Sequence, residues 1–181
     1  MPLASLLALL LGASPFGIAE EFVDGMPSDE ELAKTSRFDR DGLRFDYPAV
    51  LREREHEGDL SLEYGLFELE LIRSSPTSPA EYFDTLAEAF SYGDGEVKRA
   101  QGPALATCGG TPNPTELIDL VVDGERTTYE AVTLPPGTGG NWRYLVFQDD
   151  WIDGNGPNSR IAAATKDRVL ATIACGPPGP G

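Results

Sequence analysis

The chain contains one histidine, His56, two cysteines, Cys108 and Cys175, and 14 basic side chains against 30 acidic ones. Each shortage removes a class of function. With a formal net charge of −16 at pH 7, the chain lacks the basic footprint that nucleic acid requires, and anionic membrane surfaces repel it. One histidine and two cysteines do not supply the usual ligand set of a zinc site. The G-x-S-x-G elbow, the Walker loop, G-x-G-x-x-G after a strand, H-E-x-x-H and C-x-x-C are all missing. A Ser-His-Asp or Cys-His system would depend on His56. That residue stands in the charged run Val50–Glu57 and reads as a solvated residue of an edge strand. No stretch beyond residue 19 is long and apolar enough to span a bilayer.

Charge is also absent from residues 1–19, which carry Leu3, Leu6, Leu7, Leu9, Leu10 and Leu11, then Gly12 to Pro15, then Gly17 and Ala19, ahead of Glu20 and Glu21. An apolar centre followed by a small-x-small exit reads as a secretory signal peptide. The alternatives are a membrane anchor and a buried first helix, and Gly12–Pro15 break the run short of a span. The basic residue that usually precedes the apolar centre is missing, and no cysteine follows it to accept a lipid. The expectation is a secreted or periplasmic chain with no stable membrane insertion after cleavage. In that compartment Cys108 and Cys175 read as a disulfide; two buried thiols or a nucleophile are the competing readings.

The remainder divides into a leader over residues 20–35, one domain over 36–175 and a disordered tail, GPPGPG, over 176–181. Ser28 and Glu31 have capping-box spacing, which predicts a short helix over Asp29–Thr35. Strand patterns follow. Arg37–Asp39 and Leu43–Tyr47 flank Asp41-Gly42, a hairpin turn signal, and Pro48 stops the second strand. Leu60, Leu62 and Tyr64 hold one phase and Phe67, Leu69 and Leu71 the other, with the slip at Gly65. Ser78, Pro79 and Glu81 then open the main helix, over residues 79–92, with Phe83, Leu86, Ala87 and Phe90 on its core face. Leu117–Val122, Thr127–Leu134 and Trp142–Gln148 read as strands. Gly102–Pro103 reads as a loop. Arg160–Thr165 and Val169–Cys175 flank Lys166-Asp167 as a last hairpin, although the same residues also fit a helix.

Thirty acids leave carboxylate chemistry open, as in a hydrolase of extracellular polymers that uses two carboxylates. The densest cluster is residues 148–158, where Asp149, Asp150, Asp153 and Asn155 offer oxygen ligands of the kind calcium takes. The spacing is not that of an EF-hand. An ordinary acidic turn is the plainer reading, and no other cofactor is indicated. Trp142 and Trp151 near this loop are candidate contacts for a sugar or a cationic peptide. A place for Trp142 in the core, on one strand face with Tyr144, competes with that.

Phe38-Asp39-Arg40-Asp41-Gly42-Leu43-Arg44-Phe45-Asp46-Tyr47-Pro48 resembles the opening hairpin of the PsbP-like family. Phe67–Arg73, Ser75–Pro79 and the helix to Tyr92 continue the same order, so the resemblance covers about residues 36–100. It implies an α+β fold, a twisted antiparallel sheet with one main helix packed on it, used as a non-catalytic adaptor. The family's final helix is not matched by the GPPGPG ending, and no ligand or docking residues carry over. The expected function is an exported, non-catalytic binding or accessory module for a protein or an extracellular polymer. A polymer hydrolase and a calcium-stabilised structural protein are the alternatives.

Overall fold

In the computed structural model, Asp41 and Gly42 both adopt positive φ, 49° and 77°. This left-handed pair matches the twist of two antiparallel strands. It joins β1 (Thr35–Arg40) to β2 (Leu43–Pro48), paired from Thr35↔Pro48 to Arg40↔Leu43. The structure describes residues 27–56, 58–65, 67–73, 76, 78–90, 95–109, 112–122, 125–135, 141–151 and 157–176; side chains at 113, 125, 150, 151 and 157–159 are outside that description. The expected signal peptide, residues 20–26 of the leader and residues 177–181 of the tail therefore lie outside it.

Ahead of the hairpin, α1 (Asp29–Ala33) carries a complete capping box: Glu31 N–H donates to Ser28 Oγ, and Glu31 Oε2 accepts from Ser28 N–H at 2.8 Å. Then come β3 (Arg52–His56), β4 (Asp59–Tyr64), β5 (Phe67–Ile72) and α2 (Pro79–Phe90), with Ser78 Oγ accepting from Glu81 N–H at its start. β6 (Glu96–Leu105), β7 (Asn113–Val122), β8 (Glu125–Thr133) and β9 (Tyr144–Trp151) complete the large sheet. Last come α3 (Pro157–Thr172) and the two-residue β10 (Ala174–Cys175). The large sheet is antiparallel with order β3-β4-β5-β9-β8-β7-β6; a second, small sheet has order β1-β2-β10.

Two hydrophobic layers follow from the period of two along each strand. On one face of the large sheet, Leu62, Leu69, Leu71, Leu145 and Phe147 meet Phe38, Leu43 and Phe45 of the small sheet and Ile161 and Val169 of α3. On the other, Ile118, Leu120, Tyr129, Tyr144 and Val146 meet Tyr82, Phe83 and Leu86 of α2. The arrangement is helix, sheet, then helix with a small sheet: an α+β architecture that is mostly antiparallel strand.

Two readings of the sequence are corrected. The expected last hairpin over Arg160–Cys175 is a helix as far as Thr172, and only Ala174–Cys175 stay extended. Ile161, Thr165 and Val169 recur every four residues and are all fully buried, so the helical period places the core there. The sheet thus carries two long helices instead of the single main helix expected. The second correction is β6, expected as a loop around Gly102–Pro103. The strand continues past those residues with a register shift between Gln101 and Ala104. As an outer strand bearing Lys98, Arg99, a bulge and a proline, β6 has the devices that blunt a sheet edge and little apolar alternation.

Within α3, Thr165 Oγ1 is buried without a hydrogen-bond partner among the described residues. An orphaned hydroxyl costs more than it contributes. Thr165→Val is expected to raise the unfolding free energy by about 1 kcal/mol, measured by urea denaturation. A fall in stability would mean that the hydroxyl has an acceptor.

Candidate functional site

Alternation places Asp59, Ser61 and Glu63 of β4 and Glu68 and Glu70 of β5 on the α2 face of the large sheet. Ser61 stands opposite Glu70 and Glu63 opposite Glu68. On one side lies β3, whose Arg52 is opposite Glu63, Arg54 opposite Ser61 and His56 opposite Asp59. On the other lies β9, whose Gln148 is opposite Glu68, with Tyr129 of β8 beyond it. The result is a polar field continuous with the apolar floor under α2.

Its hydrogen bonds are ordered. Arg54 Nε approaches Glu63 Oε2 at 2.7 Å, and Ser61 Oγ donates to Glu63 Oε1 at 2.8 Å. Tyr82, on the first turn of α2, donates its hydroxyl to Glu70 Oε1 at 3.0 Å. Its ring meets Tyr144 edge-on at 6.2 Å, and Tyr144 OH donates to Pro76 O. Glu63, Glu68 and Glu70 are half-buried, while the β3 residues are exposed.

Electrostatics follow from this packing. Burial, and then the neighbouring Glu68 charge, push the Glu70 carboxyl up to about 8, against the downward pull of the Tyr82 hydroxyl. Glu68 is raised by burial and then by Glu63, with Ser61 opposing. Tyr82 is raised well above its ordinary value by burial and by Glu70, and Tyr144 is raised by burial first. Like charges directly opposed across two strands are unfavourable. Displaced carboxyls of this kind concentrate at functional sites, although structural networks also produce them.

A second polar group lies on the opposite face. Lys166 of α3 pairs with Glu130 of β8, which also accepts from Thr115 Oγ1 of β7 at 2.9 Å. A Cβ at position 102 would collide with Thr115 Oγ1, so the bulge at Gly102 admits this network. It ties a helix to a sheet. A shallow groove of about 290 Å³ runs between α2 and the outer strands, lined by Phe83, Arg99, Ala100, Gln101, Glu116 and Leu117. Its Arg99 is engaged by Asp84 at 2.7 Å.

The residues singled out from the sequence fall elsewhere. Cys108 and Cys175 meet at disulfide distance, with Cα atoms 5.0 Å apart. Trp142, offered as a ligand contact, is 3% exposed, packed edge-on to Phe38 at 5.9 Å and covered by the Arg73 guanidinium 4.6 Å from its ring centre. Its place is structural. Trp151 ends β9 opposite Arg126, and its side chain is outside the description. Asp149 and Asp150 are consecutive residues of β9, opposite Thr128 and Thr127, and the side chain of Asp150 is outside the description. Asp153 and Asn155 lie outside the described residues. Among the described residues, no group of three or more His, Cys, Asp or Glu is arranged to hold a metal ion.

Sequence reasoning missed Glu63, Glu68 and Glu70. Their signal was present: in LSLEYGLFELELI (residues 60–72) the glutamates alternate with leucines on both sides of Gly65. The one-residue slip at Gly65, φ 61°, returns the glutamates of both strands to one face.

No family model matches the chain, and no curated protein matches it. Function is therefore argued from the sheet face itself.

Proposed function

We propose that this chain is an extracytoplasmic, non-catalytic binding module that engages a positively charged partner through the sheet face of Glu63, Glu68 and Gln148. The observation that carries the reading is Glu63 set directly opposite Glu68, with Glu70 one strand step away. A cation seated there would offset the Glu68 charge, beside a Glu63 already paired with Arg54 at 2.7 Å. The net charge of −16 favours the same class of partner and speeds its approach. The uncharged residues 1–19 and the cysteine pair at bonding distance support the compartment. The order of hairpin, strands and helix over residues 36–100 supports an adaptor of PsbP-like architecture, and a helix now precedes the tail where the sequence reading had a hairpin. Calcium stabilisation is the third reading, and Asp149 is the one candidate ligand whose side chain is described.

A titration with oligolysine followed by calorimetry tests the binding reading. We expect saturable binding that weakens as salt is raised, and roughly a tenfold loss of affinity in Glu68→Gln, in line with loss of one charge-assisted contact. Equal affinity in wild type and variant would remove this face from the reading.

One observation favours a hydrolase as a second reading. Glu70 holds its proton to about pH 8, as a general acid must at neutral pH. Glu68 lies two residues along the same strand and on the same face of the sheet. Against it, the Glu70 carboxyl is already engaged by the Tyr82 hydroxyl at 3.0 Å. Turnover on a panel of polysaccharides, abolished in Glu70→Gln, would reverse the ranking.

A further inference from the structure

β2 has β1 along one edge. Along the other runs a strip of main chain leaving α3. Asp46 N–H donates to Thr172 Oγ1 at 2.8 Å, Ala174 pairs with Arg44, Cys175 pairs with Leu43, and Gly176 N–H donates to Gly42 O at 2.7 Å. A two-residue strand has little cohesion of its own; segments with so few ladder bonds open at the low end of the local stability scale. What fixes this one is Cys175, bridged to Cys108 on the segment between β6 and β7.

Cys108 has a φ of 55°. For a residue with a side chain that conformation is unfavourable and persists where the surroundings enforce it. The bridge and the bond from Thr107 Oγ1 to Thr133 O, at 3.1 Å, are the enforcing contacts beside it. Neither cysteine is fully buried, so a reductant has a path to the sulfurs.

We propose that the Cys108–Cys175 bridge is a redox catch for β10, which releases the strip 172–176 from β2 when a dithiol reductant opens it. A thiolate of the reductant attacks one bridge sulfur, forming a mixed disulfide and expelling the other cysteine as thiolate. The reductant's second thiolate then displaces the first. Two electrons pass from the dithiol, which ends as a disulfide, and Cys108 and Cys175 end as thiols after taking up two protons. The apolar face of β2, with Leu43 and Phe45 in the core, is untouched by this step. What changes is its main-chain edge over residues 42–46, which becomes free to pair with another strand.

Amide hydrogen exchange on the full chain, before and after dithiothreitol, tests the proposal. The expected result is exchange at residues 42–46 and 172–176 faster, by about tenfold or more, than the common acceleration that lowered global stability gives β4, β5 and β7–β9. The double variant Cys108→Ser/Cys175→Ser should reproduce that pattern without reductant. Global loss of protection on reduction, failure of the double variant to fold, or undiminished protection of both segments would each overturn the catch.

Discussion

Glu70→Gln is expected to flatten the pH dependence of stability and to make the protein more stable at pH 8 than wild type. Glu70 is displaced upward from an ordinary value of 4.5 to about 8, so the folded state keeps a proton that the unfolded chain has already released. The contribution is fully present below about 4.5 and is lost as pH rises to about 8. While that window is crossed, the loss approaches about 1.4 kcal/mol per pH unit, reduced to the extent that Glu70 is in contact with water. Glu68, raised for the same reason, adds to the slope. The charges that face Glu70 are Glu68 on its own strand and Asp59 and Glu63 on β4, with Tyr82 of α2 donating to it. Glutamine keeps an oxygen for the Tyr82 hydroxyl and removes the titration. Asp46 works in the opposite sense: the Arg37 bond lowers it, so its effect appears only as pH falls below the ordinary carboxylate range. Urea denaturation from pH 5 to pH 8.5 reads the difference, and parallel slopes in wild type and variant would refute the placement of Glu70.

Removing the bridge is the other large effect. Cys108 and Cys175 enclose a separation of 67 residues. The chain-entropy account gives about 4 kcal/mol for a loop of that size, through the freedom restored to the unfolded chain. Cys175→Ser should lower the unfolding free energy by up to that amount. A loss below about 1 kcal/mol would mean that the unfolded chain is already restricted over that loop.

How much of this was legible in the sequence depended on how local each signal was. The Asp41-Gly42 turn, the strand end at Pro48, the capping boxes at Ser28 and Ser78 and the charged edge strand at Arg52–His56 are short-range statements, and the structure carries them. The α3 segment was misread because Ala162, Ala163 and Ala164 supply no contrast between periods, and only Ile161, Thr165 and Val169 reveal the spacing of four. β6 was missed because an outer strand need not alternate. The acidic face was hidden for a different reason. It depends on β9 lying beside β5, a pairing between residues 68–72 and 144–148, and on α2 bringing Tyr82 down onto Glu70. Trp142 was a candidate ligand contact because the acidic run 148–158 follows it in sequence, with a packed place beside Tyr144 as the competing reading. Its neighbours in space are Phe38 and Arg73.

The central claim is that a cation is recognised where Glu63 and Glu68 oppose each other. The most direct measurement is a residue-resolved NMR titration of the full chain with oligolysine at pH 7. The account predicts saturating shifts concentrated at residues 59–64, 68–70 and 148, diminished in Glu68→Gln. Shifts spread evenly over the acidic surface, or confined to residues remote from β4 and β5, would contradict it.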